Sequence, residues 1–462
     1  MRQRPKEQPA TDARSLAWDI LQLVEGGGFA DALLGERLNR CRLDVRDQGL
    51  ATQLVYGTLA WQGFLDHIIA AFAMRAPAAL DLPVRVVLRL ALFQICILTR
   101  IPGFAAVDTA VNLIKRYRGG AATSFVNAVL RRAAGGWRGV PLPSRQTDPV
   151  GRLSVELSHP RWLVERWVAA LGLDETESLL RADNEPAPTV LRANRRVVDT
   201  PALVERLSAA GITVSQTTYS PVGLRIDGGG APERLPGYDE GKFSVQGEAS
   251  QLIGLLAGSR PGARILDACA APGGKATHLA ELMDDQGDVV AIDTNSAGIE
   301  RLRKQAQRLG LRSIRCIVGD AMQWKDEGNG FDCVLVDAPC SGLGTLRQHP
   351  EVRWRRTAAD VDELAQLQSR LLQRLSLLVR PGGVLVYATC TLMPEENDAV
   401  IDAALRELPQ FEVVDPRPLL PEAARELIGD DFRLRTFPHR QTLDGFFAVR
   451  LQRRKAHGIV AA

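Results

Sequence analysis

Two cysteines sit where chemistry is done. Asp337-Ala-Pro-Cys340-Ser-Gly-Leu-Gly follows the apolar run Phe331-Asp-Cys-Val-Leu-Val, and Thr389-Cys390-Thr follows Val384-Leu-Val-Tyr-Ala. Each run reads as a buried strand, so both thiols fall in turns just beyond strand ends. A thiolate there is a nucleophile, and a second thiolate beside it is a base. Such a pair suits methylation at carbon 5 of cytosine, a poor nucleophile until a thiolate adds to carbon 6 and makes the ring enamine-like. The carbon-5 proton must then leave before the thiolate is expelled, which needs a base. Spacing alone does not say which thiol does which. Cysteine is more often a small core residue, and Cys96, Cys316 and Cys333, inside apolar runs, are assigned to the core.

A second constellation lies upstream. Ala263-Arg-Ile-Leu-Asp-Ala-Cys269-Ala270-Ala271-Pro272-Gly273-Gly274-Lys275 reads as strand, small-residue turn and helix start. Small residues let the backbone pass close to a ligand, and the helix presents free N–H groups. Cys269 fits a backbone role in that turn, and Lys275 offers positive charge to a thiolate. Asp288-Val-Val-Ala-Ile-Asp293 ends in a carboxylate able to accept from both ribose hydroxyls of a nucleoside cofactor. This much leaves NAD and S-adenosylmethionine open. Asp320 closes a third strand, where it can reach the adenine end, and Asp337 closes a fourth, at the height of a methionine ammonium. A lone strand-end Asp is often a helix cap. Three in succession favour S-adenosylmethionine. Asp337 also suits recognition of the cytosine amine, and the two roles stay open.

The elements that must position these groups divide the chain into three. Residues 1–140 show helical periodicity and are expected to form an all-α bundle. Residues 150–240 mix helix and short strand as a small α+β module, after a linker at 135–149. Residues 241–454 alternate strand and helix, as in a Rossmann-like parallel sheet covered by helices. Residues 1–140 carry 18 Lys+Arg against 11 Asp+Glu, so the basic excess lies there. Lys115, Arg116, Arg118, Arg131 and Arg132 cluster at its helix ends. Helix-dipole complementarity explains any one of them, and phosphate contact explains the group. Arg347, His349, Arg353, Trp354, Arg355 and Arg356 mix cations with an aromatic and are expected to hold phosphates and stack a base.

Together, DACAAPGGK, DAPCSGLG and the TC of YATCT resemble the central motifs of the RNA cytosine-5 methyltransferase family, the NOL1/NOP2/Sun type. Ser244-Val-Gln-Gly-Glu-Ala-Ser-Gln, Leu346-Arg-Gln-His-Pro-Glu-Val-Arg-Trp, Pro394-Glu-Glu-Asn397 and Phe437-Pro-His are similar to further family segments. GGGFADALL, LVYGTLAW and FVNAVLRR resemble the antitermination-factor-like RNA-binding domain. The resemblance implies Cys390 as nucleophile, Cys340 as the helper of release, S-adenosylmethionine as methyl donor, and one cytosine of small-subunit ribosomal RNA as target.

Seven scattered cysteines, among 462 residues, exclude a disulfide framework and point to a reducing compartment. No Cys/His spacing suits a metal, and no apolar run suits a membrane span. The polar start lacks the apolar stretch of a signal peptide. A cytoplasmic monomer is expected.

Overall fold

A computed structural model describes residues 12–455 apart from 99, 229 and 327, and leaves out the side chain of Arg118. The polar start at 1–11 and the Arg118 cation therefore lie outside the described residues. The chain forms two compact units, one running to Pro186 and including Leu346–Arg355, the other comprising Ala187–Thr345 and the chain from Arg356.

The first unit is helical. Its elements are α1 (Ala13–Glu25), α2 (Ala30–Arg40), α3 (Val45–Ala60), α4 (Gln62–Ala73), α5 (Leu82–Cys96), α6 (Gly103–Arg118), α7 (Gly120–Gly136), α8 (Pro149–Glu156), α9 (Arg161–Leu171) and α10 (Leu173–Asp183). Helix α1 starts at a capping box in which the Asp12 side chain accepts from the Ser15 N–H. Leu16, Ile20, Leu54, Val55, Val87, Leu88, Val126 and Val129 are buried in one core. In LVYGTLAW the glycine is steric. A Cβ on Gly57 would lie 2.0 Å from the Phe93 ring, so only glycine lets α3 meet α5 there. Lys115, Arg116 and Arg131 are exposed. Arg132 instead donates to the Phe72 carbonyl, the bland role for a cation at a helix end.

The Arg-rich segment corrects an expectation. Leu346–Arg355 packs within this helical unit and carries the short helix Val352–Arg355. Arg353 is fully buried, donating to the Asn184 side chain at 2.8 Å and to the Asp183, Ser158 and Ala60 carbonyls. Trp354 donates to the Leu59 carbonyl, Arg355 to those of Val24 and Gly28, and Glu351 accepts from the Ala30 N–H. These side chains satisfy helix-end backbone groups and are spent on the fold. Arg356, in the other unit, belongs with the Pro-Cys loop and donates to the Ser341 carbonyl at 3.0 Å. Burial lowers the Arg353 pKa to about 10, so it stays charged near neutrality, supported by Asp183. Arg353→Met should therefore cost about 3–5 kcal/mol in urea denaturation, because it strips charge balance and hydrogen bonds from a buried cluster. A loss under about 1 kcal/mol would contradict this placement.

The second unit contains β1 (Thr189–Ala193), α11 (Thr200–Ala209), β2 (Thr213–Gln216), β3 (Gly223–Asp227), β4 (Phe243–Val245), α12 (Glu248–Leu256), β5 (Arg264–Asp267), α13 (Gly274–Leu282), β6 (Asp288–Asp293), α14 (Ser296–Arg308), β7 (Ile314–Val318) and β8 (Phe331–Asp337). After the excursion through Val352–Arg355, which is α15, come α16 (Ala358–Ser376), β9 (Val379–Thr389), α17 (Asp398–Glu407), β10 (Phe411–Val413), β11 (Leu434–Thr436), α18 (Pro438–Gln441) and β12 (Phe446–Arg453). A small antiparallel sheet has the order β2-β3-β1-β4. The large sheet runs β10-β12-β9-β8-β5-β6-β7, parallel from β9 to β7 and antiparallel where β12 joins β9, β10 and β11. It is therefore mixed, adding antiparallel edge strands to the parallel sheet that alternation of strand and helix suggested. The Pro381-Gly-Gly turn is an irregularity inside β9, where pairing jumps from Phe331↔Val379 to Cys333↔Val384. Chain order reverses between β5 and β8, so their carboxyl ends flank the crevice where open α/β sheets bind ligands. Among the described residues no helix is long and apolar enough to cross a membrane.

Candidate active site

Parallel pairing of β8 with β9 sets Asp337 opposite Ala388, and the Ala338 N–H extends the ladder to the Ala388 carbonyl. The loops leaving these adjacent ends carry Cys340 and Cys390, whose sulfurs lie 3.3 Å apart. The Cys390 N–H also points at the Cys340 sulfur, at 3.4 Å.

Both turns are anchored by groups that sequence reasoning left without a role. The buried Glu396 carboxylate accepts from the Ser341 N–H at 2.8 Å, from the Ser341 hydroxyl and from Gln368. Ser341 in turn meets Thr391 at 2.8 Å, oxygen to oxygen. Asn397 accepts from the Thr389 hydroxyl and donates to the Thr391 carbonyl, bracketing Cys390. Gln368 holds the Pro339 carbonyl, and the Gly344 N–H holds that of Cys390. The residues flanking each thiol are thus fixed to one buried network. Burial raises the Glu396 pKa, with its hydrogen bonds opposing. The signal for this network was Pro394-Glu-Glu-Asn397, quoted only as a resemblance.

Beside the thiols, the Lys275 ammonium donates to Asp337 at 2.5 Å. Burial alone would lower its pKa, but Asp337, Cys390 and Asp267 outweigh that and raise it, so the cation is retained. Cys340 is pushed well above the ordinary thiol range by its hydrogen bond to Cys390, by burial and by the negative charges of Cys390 and Glu396. It therefore rests as a neutral thiol in hydrogen-bond contact with the Cys390 sulfur. Burial pushes Cys96 and Cys333 up to about 12, and Cys316 and Cys269 upward as well, which keeps those thiols inert near neutrality.

The turn Ala268–Gly273 follows β5 and starts α13. The Ala270 N–H bonds the Ile292 carbonyl, and the Ala271 N–H bonds Asp293 at 3.0 Å. Pro272, after a cis bond to Ala271, is exposed. Gly273 has φ +111, and a Cβ there would lie 2.4 Å from Leu302, so glycine is required twice over. Gly274 opens α13, and Lys275 follows on its first turn. Asp293 also accepts from the Asn295 N–H, while Asp320 accepts from the Met322 N–H and caps its own short turn. The structure thus joins Cys340, Cys390, Lys275 and Asp337, and ties Asp293 to the small-residue turn through Ala271. Among the described residues Asp320 is bonded within its own turn.

One acid was missed. Asp267 ends β5 as Asp293 and Asp337 end β6 and β8, and the same pattern would have found it. Its carboxylate is buried, and neither oxygen has a hydrogen-bond partner of good geometry. Burial first and Asp337 second push its pKa up to about 7, with Lys275 and the Cys269 N–H opposing. A buried, unsatisfied carboxylate at the crevice suits a cationic group of a ligand.

Comparison with known proteins covers nearly all of the chain. The family model for 16S rRNA methyltransferase RsmB/F matches residues 255–452, that for the NusB family residues 11–135, and a Methyltr_RsmF/B-like ferredoxin-like domain residues 159–231. The chain is 35% identical to the probable ribosomal RNA small subunit methyltransferase B of Bacillus subtilis (strain 168), covering 96% of this chain and 99% of that one. It is 37% identical to ribosomal RNA small subunit methyltransferase B of Pseudomonas putida, covering 87% and 90%. The crystal structure of PH0851 superposes with a TM-score of 0.84 at 28% identity, covering 98% of this chain and all of that one.

Proposed function

The chain belongs to the 16S rRNA methyltransferase RsmB/F family, and from that premise we propose that it methylates carbon 5 of one cytosine in small-subunit ribosomal RNA through a covalent Cys390–carbon 6 intermediate. The observation that carries the chemistry is the 3.3 Å thiol pair beside the Lys275–Asp337 ion pair.

The methyl donor is S-adenosylmethionine, and the residues present fit it. Asp267 offers an unsatisfied carboxylate to the methionine ammonium, the turn 269–275 lets the ligand approach the backbone, and Asp293 suits the ribose. Asp320 would serve the adenine end. When bound, the donor supplies an electrophilic methyl group at carbon 5. Asp267 also makes a testable trade. Its folded pKa, near 7, exceeds the ordinary 3.8, so ionisation opposes folding above about pH 4 and fully above 7. Asp267→Asn should stabilise the ligand-free chain at pH 8, on the order of 3 kcal/mol, and weaken donor binding. The gain should fade toward pH 4 in thermal melts. A variant less stable than the parent at pH 8 would contradict the unsatisfied state.

The chain's own groups divide the work. Cys390 adds to carbon 6, and the carbon 5–carbon 6 π pair becomes available at carbon 5. Addition commits the Cys390 sulfur to a bond with carbon 6 and so ends its hydrogen bond with Cys340. Cys340 then releases its proton to water and, as thiolate, takes the proton from carbon 5. The returning electron pair restores the ring and expels Cys390. Lys275 keeps positive charge next to the developing thiolates, and Asp337 faces the cytosine amine or the donor. The target base must be unpaired or flipped to enter.

We assign residues 1–140 to RNA binding, with the exposed Lys115, Arg116 and Arg131 as phosphate contacts. We assign residues 150–240, which are divided at Pro186 between the two compact units, to a connecting module and 241–454 to the catalytic part, in a cytoplasmic monomer. The test is transfer of labelled methyl to unmodified 16S ribosomal RNA and, in parallel, to transfer RNA, followed by digestion to nucleosides. Label in 5-methylcytidine from ribosomal RNA alone is expected. Label from transfer RNA would overturn the substrate, and another labelled nucleoside would overturn the chemistry.

A further inference from the structure

The segment Ser244-Val-Gln-Gly-Glu-Ala-Ser-Gln precedes the catalytic sheet and takes no part in the chemistry described above. Its structural partner is Arg192, on β1 of the small antiparallel sheet. Strand β1 lies between β3 and β4, with Arg192 opposite Gly223 and Ser244, so the residue stands on a braced backbone. The guanidinium is fully buried. All five of its N–H donors are used. Nε and one Nη2 hydrogen go to Glu281, at 3.1 and 2.8 Å, the other Nη2 hydrogen goes to Thr277 at 3.1 Å, and Nη1 reaches the Gln246 side chain and the Gly274 carbonyl, the latter at 2.7 Å.

A buried ion pair with Glu281 would be complete with the first two bonds. Of the other three, two reach the first turn of α13 and the third reaches Gln246. Gly274 is the first residue of α13, Thr277 bonds back to the Gly273 carbonyl at 2.9 Å, and Gln246 leads out of β4. We infer that Arg192 is a positioning residue for the methyl-donor turn, by which the small sheet fixes the direction of the α13 N–H groups and of Lys275. The inference rests on the proposed methyl-donor reading. A planar fork holds Glu281 and Gly274 at once, whereas a lysine ammonium, with three donors on one atom, does not.

The test is titration of the full-length chain with S-adenosylmethionine in a calorimeter, together with steady-state methyl transfer. In R192M/E281M an apolar pair replaces the ion pair, which preserves folding while removing the grip on Gly274. Its Kd is expected to rise about tenfold, the loss of one charge-assisted hydrogen bond's worth of affinity. KM for the donor should rise with it and kcat should change less than about threefold. R192K, which keeps the charge, should fall between the two and carries the test if the double variant does not fold. A purely structural role predicts a lower Tm with unchanged Kd for the folded fraction, and that result overturns the inference. No binding by the unsubstituted chain would overturn the methyl-donor reading itself, a distinguishable outcome.

Discussion

Cys390→Ala is expected to leave neither methyl transfer above background nor any covalent protein–RNA species. Without addition at carbon 6, carbon 5 has no electron pair to offer, so no other group in the site substitutes for the missing thiolate. The loss should be at least about 10⁴-fold in single-turnover rate. Donor binding should persist, because the described hydrogen bonds of the 269–275 turn involve neither the Cys390 side chain nor its neighbours. The variant should also fold, since Glu396 and Asn397 anchor the residues around position 390 through their backbone and hydroxyl groups, not through the thiol. Rate and binding measured on the same preparation check this. Residual transfer within about tenfold of the parent would assign the nucleophile elsewhere.

Cys340→Ala is expected to do something different. Addition and methylation proceed, but the carbon-5 proton then has no base and elimination stalls. Turnover should fall by about 10²–10⁴-fold, the usual worth of a positioned base. Most of the protein should collect as an adduct visible on denaturing gels, whose digested peptide carries a methylated 5,6-dihydrocytidine on Cys390. The substitution also removes the hydrogen bond between the two sulfurs, so the addition step itself should slow by a smaller factor. If the adduct forms in Cys390→Ala and is absent in Cys340→Ala, the roles are reversed.

What the sequence disclosed depended on how local the cause was. The thiol turns and the small-residue turn were legible because apolar runs, Gly and Pro mark strand ends, and strand ends share an edge. Parallel pairing of β8 and β9 then brought residues 340 and 390 together. Asp267 was passed over because it was read as the tail of a strand, although it ends β5 as Asp293 ends β6. The Glu396–Ser341–Thr391 network joins groups about fifty residues apart, and no periodicity reports such a meeting. The arginines of Leu346–Arg355 misled for a physical reason. A run of cations looks the same whether it faces phosphates or the helix-end carbonyls of Val24, Gly28 and Ala60, and only the fold shows the carbonyls. Strands β10–β12 pair antiparallel at the sheet's edge, and alternation of strand and helix carries no signal for that.

The measurement that bears most directly on the central claim uses 16S ribosomal RNA transcribed with 5-fluorocytidine. Fluorine at carbon 5 cannot leave as a proton is removed, so a thiolate that has added to carbon 6 is trapped after methylation. The account predicts a donor-dependent, near-stoichiometric adduct with the unsubstituted chain, whose digested peptide carries the nucleotide on Cys390. An adduct mapped to Cys340, or methyl transfer that proceeds undiminished on the fluorinated RNA with no adduct, would contradict it.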